Sequence, residues 1–270
     1  MQIVIPYTPR QLQGDLHRDL DKHRWGVIVC HRRMGKTVMA INHLLRAAVL
    51  CDKPNPRYAY LAPTYRQAKA VAWDYLKQFA GGIPEAKFHE TELRCDLPNG
   101  SRISLLGAEN PDSLRGIYLD GCFMDEVADM PESVFPEIIR PALSDRKGWC
   151  FFVGTPKGQN AFYEMYEHAV VSDGWFTAVH KASETGILDD EELRSAKEAM
   201  TTDQYAQEYE CSWAANVPGA IFGKELAVSL EQGRIGKVPH DPSVKVDTFW
   251  DLGVGDSNVI WFTQSVGRAV

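Results

Sequence analysis

Gly26-Val27-Ile28-Val29-Cys30 runs directly into His31-Arg32-Arg33-Met34-Gly35-Lys36-Thr37, and the chain from Thr37 to Leu50 then places Val38, Ile41, Leu45 and Ala48 on one helical face. The first five residues are apolar, partly β-branched and bounded by polar positions, the pattern of a strand covered on both faces of a parallel sheet. Downstream, Tyr58-Ala59-Tyr60-Leu61-Ala62 reads as a second strand, and Gln67 to Phe79 as a helix after Pro63-Thr64. Strand, helix, strand, helix predicts an α/β chain with a mostly parallel sheet and helices on both faces. Glu92 to Leu97 and Ser101 to Leu105 alternate on either side of Asn99-Gly100, a hairpin signal that interrupts this rhythm once. Gly121-Cys122-Phe123-Met124 and Trp149-Cys150-Phe151-Phe152-Val153 are two further buried strands, and Pro131 can start a helix between them.

The segment from Cys30 to Thr37, set between a strand and a helix, has the form of a P-loop. Its chemistry needs backbone N–H groups around a phosphate at a helix N-terminus and a Gly35 that lets the backbone approach. It also needs Lys36 for the β- and γ-phosphates and Thr37 for Mg2+. Cys30 stands where the motif usually has its first glycine. Arg32 and Arg33 put two cations inside the loop; they are either solvated charge or a guanidinium on the γ-phosphate. About ninety residues on, Phe123-Met124 ends in Asp125-Glu126. An Asp at a strand tip facing such a loop can hold the Mg2+ shell, and the following Glu can polarise an attacking water, which favours hydrolysis over transfer to a metabolite. Gly154-Thr155-Pro156-Lys157-Gly158 ends the next strand; Thr155 is either part of a Gly/Pro turn or a sensor of the γ-phosphate.

The rest of the composition sets bounds. The 270 residues carry 29 Lys+Arg against 36 Asp+Glu, a formal net charge of −7, with 44% hydrophobic and 24% charged residues. At roughly 150 residues per domain that is one large domain or one and part of another. An acidic total argues against a chain coated in nucleic acid and leaves room for a local basic groove. No run approaches the ~18 apolar residues of a membrane span, and Met1 to Pro6 lacks a basic stretch followed by an apolar core, so neither a spanning nor a secreted protein is expected. The six cysteines are scattered without a CxxC pair and read as reduced, mostly buried thiols. After about Lys181 the pattern turns polar. Leu193, Ala196, Met200, Tyr205 and Tyr209 share a helical face in a small appendage, and Pro218-Gly219, Gly233, Gly236 and Pro239 mark a linker before a new strand at Val246 to Asp251.

Five segments in order resemble the large terminase subunit of tailed bacteriophages, an ATP-driven motor that packages DNA into a procapsid. They are Tyr7-Thr8-Pro9-Arg10-Gln11-Leu12-Gln13, the arginine-bearing loop, Leu61-Ala62-Pro63-Thr64-Tyr65-Arg66-Gln67-Ala68, Ser113-Leu114-Arg115-Gly116 ahead of Asp125-Glu126, and Gly154 to Gly158. The resemblance implies a RecA/ASCE-like P-loop NTPase core over residues 1–182, a helical lid and linker over 183–243, and the start of an RNase H-like nuclease over 244–270. It implies that Pro9 and Gln13, with Gln11 as the alternative, meet the adenine. Arg32, Arg33, Met34, Gly35, Lys36, Thr37 and Asp125 would hold ATP and Mg2+, Glu126 would activate water with Arg32 as a further catalytic group on the γ-phosphate, and Thr155 would couple hydrolysis to motion. Arg115, otherwise a surface ion pair, matches a position proposed as an arginine finger reaching a neighbouring subunit's ATP. Trp250-Asp251-Leu252-Gly253-Val254-Gly255-Asp256 resembles the first nuclease strand, with Asp251 as the first carboxylate of a Mg2+ or Mn2+ site whose other acids lie elsewhere.

The partners so implied are double-stranded DNA, a portal protein, a small terminase subunit and further copies in a ring, the free chain being compatible with a monomer, all in the cytoplasm of an infected bacterium. Arg66, Lys69, Lys77, Lys87, Arg94 and Arg102 are scattered bases and read as solvated positions. Two rival readings stay open. A helicase-like ATPase would share the loop and the acids but needs a second RecA-like domain. A non-catalytic docking module would bind nucleotide without turnover.

Overall fold

The computed structural model describes residues 4–214, 225–226, 228–229, 232–236, 239–252 and 259–265. They fall into two compact units, Met1–Gly219 and Ala220–Val270.

The first unit is built on an eight-stranded sheet, in the order β3-β4-β5-β2-β6-β7-β1-β8. Its strands are β1 (Trp25–Cys30), β2 (Arg57–Ala62), β3 (Lys87–His89), β4 (Arg94–Asp96), β5 (Arg102–Gly107), β6 (Gly121–Asp125), β7 (Trp149–Gly154) and β8 (Trp175–His180). From β5 to β8 every neighbouring pair is parallel, while β4 runs against β5 and β3 against β4. Alternate residues divide between two cores, as the two-residue period of a strand requires. Ile28, Tyr60, Phe123 and Phe151 face one side, with α1 (Gln11–Leu20) and α2 (Lys36–Leu50). Val27, Leu61, Met124 and Phe152 face the other. All six cysteines are free; five are buried and Cys51, just past the end of α2, is partly exposed.

The expected strands and the helix after the loop are present to within a residue or two of the limits read from the sequence. The Asn99-Gly100 hairpin is present as β4 and β5, joined through a loop in which Leu97 N–H donates to Ser101 O at 2.8 Å. It does not leave the sheet: β5 is also the parallel neighbour of β2, so the hairpin extends the sheet at its edge. The helix expected over Gln67 to Phe79 starts earlier, where Thr64 caps it by accepting from Gln67 N. It runs as α3 (Tyr65–Ala68), a wide π turn over Lys69–Trp73, and α4 (Asp74–Ala80). The helix expected after Pro131 is a π turn over Val134–Ile139 that enters the short α5 (Arg140–Ala142), where Pro141 has no N–H to give a tighter turn. Several elements escape the sequence reading, the short β3 and three longer ones among them. Only Gln13, Leu16 and Leu20 of α1 are buried, β8 is half-buried throughout, and α6 (Ala161–Val171) buries just Phe162 and Ala169.

The polar appendage folds within the first unit as α7 (Ala182–Thr185), α8 (Asp190–Ala199) and α9 (Thr202–Glu208). Asp189 caps α8 and Thr201 caps α9, each side chain accepting a backbone N–H of the first turn. Ala182, Ala196 and Tyr209, with Leu193, Met200 and Tyr205 against them, form its small core. In the second unit β9 (Asp247–Asp251) pairs antiparallel with β10 (Val259–Thr263). The Pro218-Gly219 linker mark and the stretch from Gly253 to Asp256 lie outside the described residues.

Candidate functional site

Three adjacent parallel strands deliver the site, because β7 lies between β1 and β6. β1 ends in the loop, β7 in Thr155 and β6 in Asp125. The loop is curled by two left-handed residues, Arg33 at φ 70° and Gly35 at φ 94°. Lys36, the first residue of α2, is only 9% exposed. Its ammonium donates to Glu126 Oε1 at 2.9 Å and to Thr155 Oγ1 at 3.1 Å, while Thr155 Oγ1 donates to Cys30 O at 3.1 Å. Thr155 therefore ties the tip of β7 to the end of β1. On β6, Asp125 Oδ2 accepts from Thr37 Oγ1 at 3.3 Å and from the Tyr60 hydroxyl at 2.5 Å, and its Oδ1 accepts from Glu126 N at 3.0 Å. Glu126 itself has φ 55° and ψ 48°, a left-handed backbone rare outside glycine and typical of functional turns.

The charges depend on one another. Burial works against the Lys36 ammonium, but Glu126 and Asp125 hold it above the usual lysine range. Burial also works against ionised Glu126, and Lys36 outweighs it by charge and hydrogen bond, so this carboxyl is held below its usual range. Asp125, fully enclosed and beside a second carboxylate, is pushed up by burial despite Lys36. A cavity of about 520 Å³ opens over these groups, lined by Arg32, Arg33, Lys36, Thr37, Asp125 and Glu126 with Tyr60, Val71 and Tyr75. A neighbouring cavity of about 460 Å³ shares Arg33, Gly35, Val38 and Tyr75 with it and adds Tyr7, Arg10, Gln13 and Phe79.

Several expected residues sit differently from their expected use. Met34 is fully buried in the core and lines neither cavity. Gln13 is buried, with Oε1 accepting from Arg10 N and Nε2 donating to Gly35 O at 3.1 Å. Pro9 is exposed between Thr8 and Arg10, which line the second cavity, and is not itself in its wall. Arg32 is ion-paired with Glu208 of α9, and its N–H donates to Glu208 O at 3.0 Å. His31 reaches the same appendage, its Nε2 lying 2.9 Å from Thr185 Oγ1. Arg115 is outside both cavities, 2.8 Å from Asp112 and 3.6 Å from Glu137, on a groove of about 290 Å³. Asp251 is exposed at the end of β9, and among the described residues no three His, Cys, Asp or Glu side chains cluster as a metal site. Tyr60 and Tyr75 were not anticipated; β2 carries two phenols, Tyr58 and Tyr60, and the sequence alone does not tell which one reaches the site.

A Gly-Lys-Thr loop after one parallel strand, an Asp-Glu pair after another and a strand inserted between them define a P-loop NTPase with a RecA-like fold. Residues 28–227 match the family model described as the N-terminal part of the T4-like-virus type of large terminase subunit, and the chain belongs to that family. The large terminase subunit of Thermus virus P23-45 is 31% identical over 182 residues, covering 60% of this chain and 37% of that relative. This chain thus spans well under two thirds of the relative's length. The solved large terminase ATPase domain of Thermus phage P74-26 superposes with a TM-score of 0.66 at 24% identity, covering 77% of this chain and 95% of that one. A large terminase from another thermophilic bacteriophage, solved in complex with ADP, has a TM-score of 0.65 at 17% identity, covering 95% of this chain and 65% of that one. These two likenesses concern the fold.

Proposed function

We propose that this chain is the ATPase motor portion of a phage large terminase, hydrolysing ATP with Mg2+ to drive double-stranded DNA into a procapsid. The observation that carries the reading is the Lys36, Thr155 and Glu126 contact over a cavity that also holds Thr37 and Asp125. The loop N–H groups, Gly35 and Lys36 take the phosphates, with Arg32 and Arg33 beside them. Thr37 Oγ1 and Asp125 Oδ2 are hard oxygen donors 3.3 Å apart, a pair suited to Mg2+ when phosphate and water complete the shell. The metal supplies charge neutralisation on the phosphate oxygens. When phosphate draws Lys36 away, Glu126 is free to accept a proton from water. The water oxygen then bonds to the γ-phosphorus, the bond to the bridging oxygen breaks, and ADP and phosphate leave. Thr155, bonded to both Lys36 and the end of β1, couples that change to motion. The adenine takes the second cavity beside the Pro9 segment, with Gln13 acting through Gly35.

The thermophilic-phage terminase solved with ADP is also solved with ATP-γ-S, and both ligands belong to the nucleotide class assigned here. Arg115 lies away from the cavity, which suits an arginine that reaches the ATP of a neighbouring copy in a ring on the portal. Residues 1–182 would be the ATPase core and 183–243 its helical lid and linker. Residues 244–270 would open a nuclease domain in which Asp251 is the first acid of a Mg2+ or Mn2+ site. DNA, the portal protein and the small terminase subunit are the partners in this reading, in the cytoplasm of the infected cell. No described helix is long and apolar enough to cross a membrane.

Steady-state Mg2+-ATP hydrolysis across a protein concentration series tests the proposal. Lys36→Ala should lose nucleotide binding, whereas Glu126→Gln should keep binding and lose turnover by about 100-fold or more. Specific activity that rises with concentration and falls with Arg115→Ala supports the ring. Tight Lys36-dependent binding without turnover in any assembled state favours a nucleotide-gated scaffold instead.

A further inference from the structure

The Asp125 carboxylate is 4% exposed and takes three hydrogen bonds, one on Oδ1 from Glu126 N and two on Oδ2 from Thr37 and Tyr60. The two Oδ2 donors differ in what nucleotide would do to them. In the proposed function Thr37 also gives a lone pair of its oxygen to the metal, so that oxygen is shared between the metal and Asp125 while its O–H remains able to donate. The Tyr60 hydroxyl stays buried: its side chain is 1% exposed, and β2 register places it opposite Phe123, two residues before Asp125 on the same face of the sheet. A buried carboxylate that loses its donors rotates toward other partners.

We propose that Tyr60 is the positioning residue for Asp125, its hydroxyl fixing Oδ2 so that the carboxylate is presented to Mg2+, and that it thereby sets how strongly nucleotide binding depends on the metal. The proposal rests on the nucleotide reading above and goes beyond it. Partners one shell out from a metal ligand change metal affinity by about 10- to 100-fold when removed. The same strand carries its own control. Tyr58, two residues earlier in the same core, spends its hydroxyl on Ala47 O at 3.2 Å, away from the site.

The test is ADP binding measured in EDTA and across a Mg2+ titration for the wild type, Tyr60→Phe and Tyr58→Phe. Phenylalanine keeps the ring and its packing in both variants. Tyr60→Phe should bind ADP as the wild type does in EDTA and need about tenfold more Mg2+ to gain half of the metal-dependent affinity, while Tyr58→Phe follows the wild type. A Mg2+ titration unchanged in Tyr60→Phe overturns the proposal, as does an equal shift in Tyr58→Phe, which would mean loosened packing. A wild type that binds ADP with no gain from Mg2+ overturns this proposal alone. A wild type that binds no ADP overturns the nucleotide reading as well.

Discussion

At Gly35 the backbone sits at φ 94°, and a Cβ built there would lie 2.8 Å from Gln13 Nε2. A left-handed conformation costs an L-residue roughly 1–2 kcal/mol, and the close contact would also push the Gln13 amide off the Gly35 carbonyl. Gly35→Ala should therefore lower the melting temperature by about 2–8 °C, at ~2–4 °C per kcal/mol for a chain of this size, and weaken nucleotide binding; a melt and a binding titration check both. The glycine was legible from Gly-Lys-Thr alone. The role of Gln13 was not, because an amide reads the same whether it faces a base or a backbone carbonyl 22 residues away. Arg32 is a similar case. Its place in the loop was plain from the sequence, whereas its pairing with Glu208 depends on how α9 packs.

The joints between elements carry titratable groups of their own. Where α1 meets α2, the Tyr7 hydroxyl is 3.1 Å from His17 Nε2, His17 Nδ1 is 3.0 Å from His43 Nδ1, and the two imidazoles are stacked. Burial, then Arg46, lowers His17 to about 4, and burial with His17 holds His43 well below its usual range. Both rings are thus neutral in the fold, while in the unfolded chain they take up protons near pH 6.5. The unfolded state binds more protons as pH falls from 6.5 to 4, so stability should drop over that window, and His17→Phe should flatten the drop in melts run against pH. None of this was readable beforehand. The α2 periodicity marked the apolar face, and α1 has its own stripe of Leu12, Leu16 and Leu20 at four-residue spacing, legible but passed over; what no stripe could show is that His17 meets His43. The β1, β6 and β7 runs were legible because strands covered on both faces are apolar throughout. β8 escaped because its residues are only half-buried.

At the scale of the molecule, the sheet is the common wall of two cores, and Phe123 lies at the centre of one. It is fully buried, with ring centroids of His43, Trp149 and Phe151 within 5.4–5.7 Å. Phe123→Ala should cost about 3–5 kcal/mol, read as a lower denaturant midpoint with little change in slope. Strand order is the part of the fold that local pattern could not supply. Each strand was visible by itself, yet placing β7 between the loop strand and the acid strand needs the whole sheet, and that insertion is what brings Thr155 to Lys36. The cysteines give the molecule a practical handle. Five thiols are sealed in the interior and Cys51 stands partly open just past α2, a helix of 15 residues and hence about 22 Å long whose other end begins at Lys36. A thiol-reactive dye added to the folded chain meets Cys51 first, so a single fluorophore can be placed on the far end of the helix that carries the phosphate loop without removing any native residue.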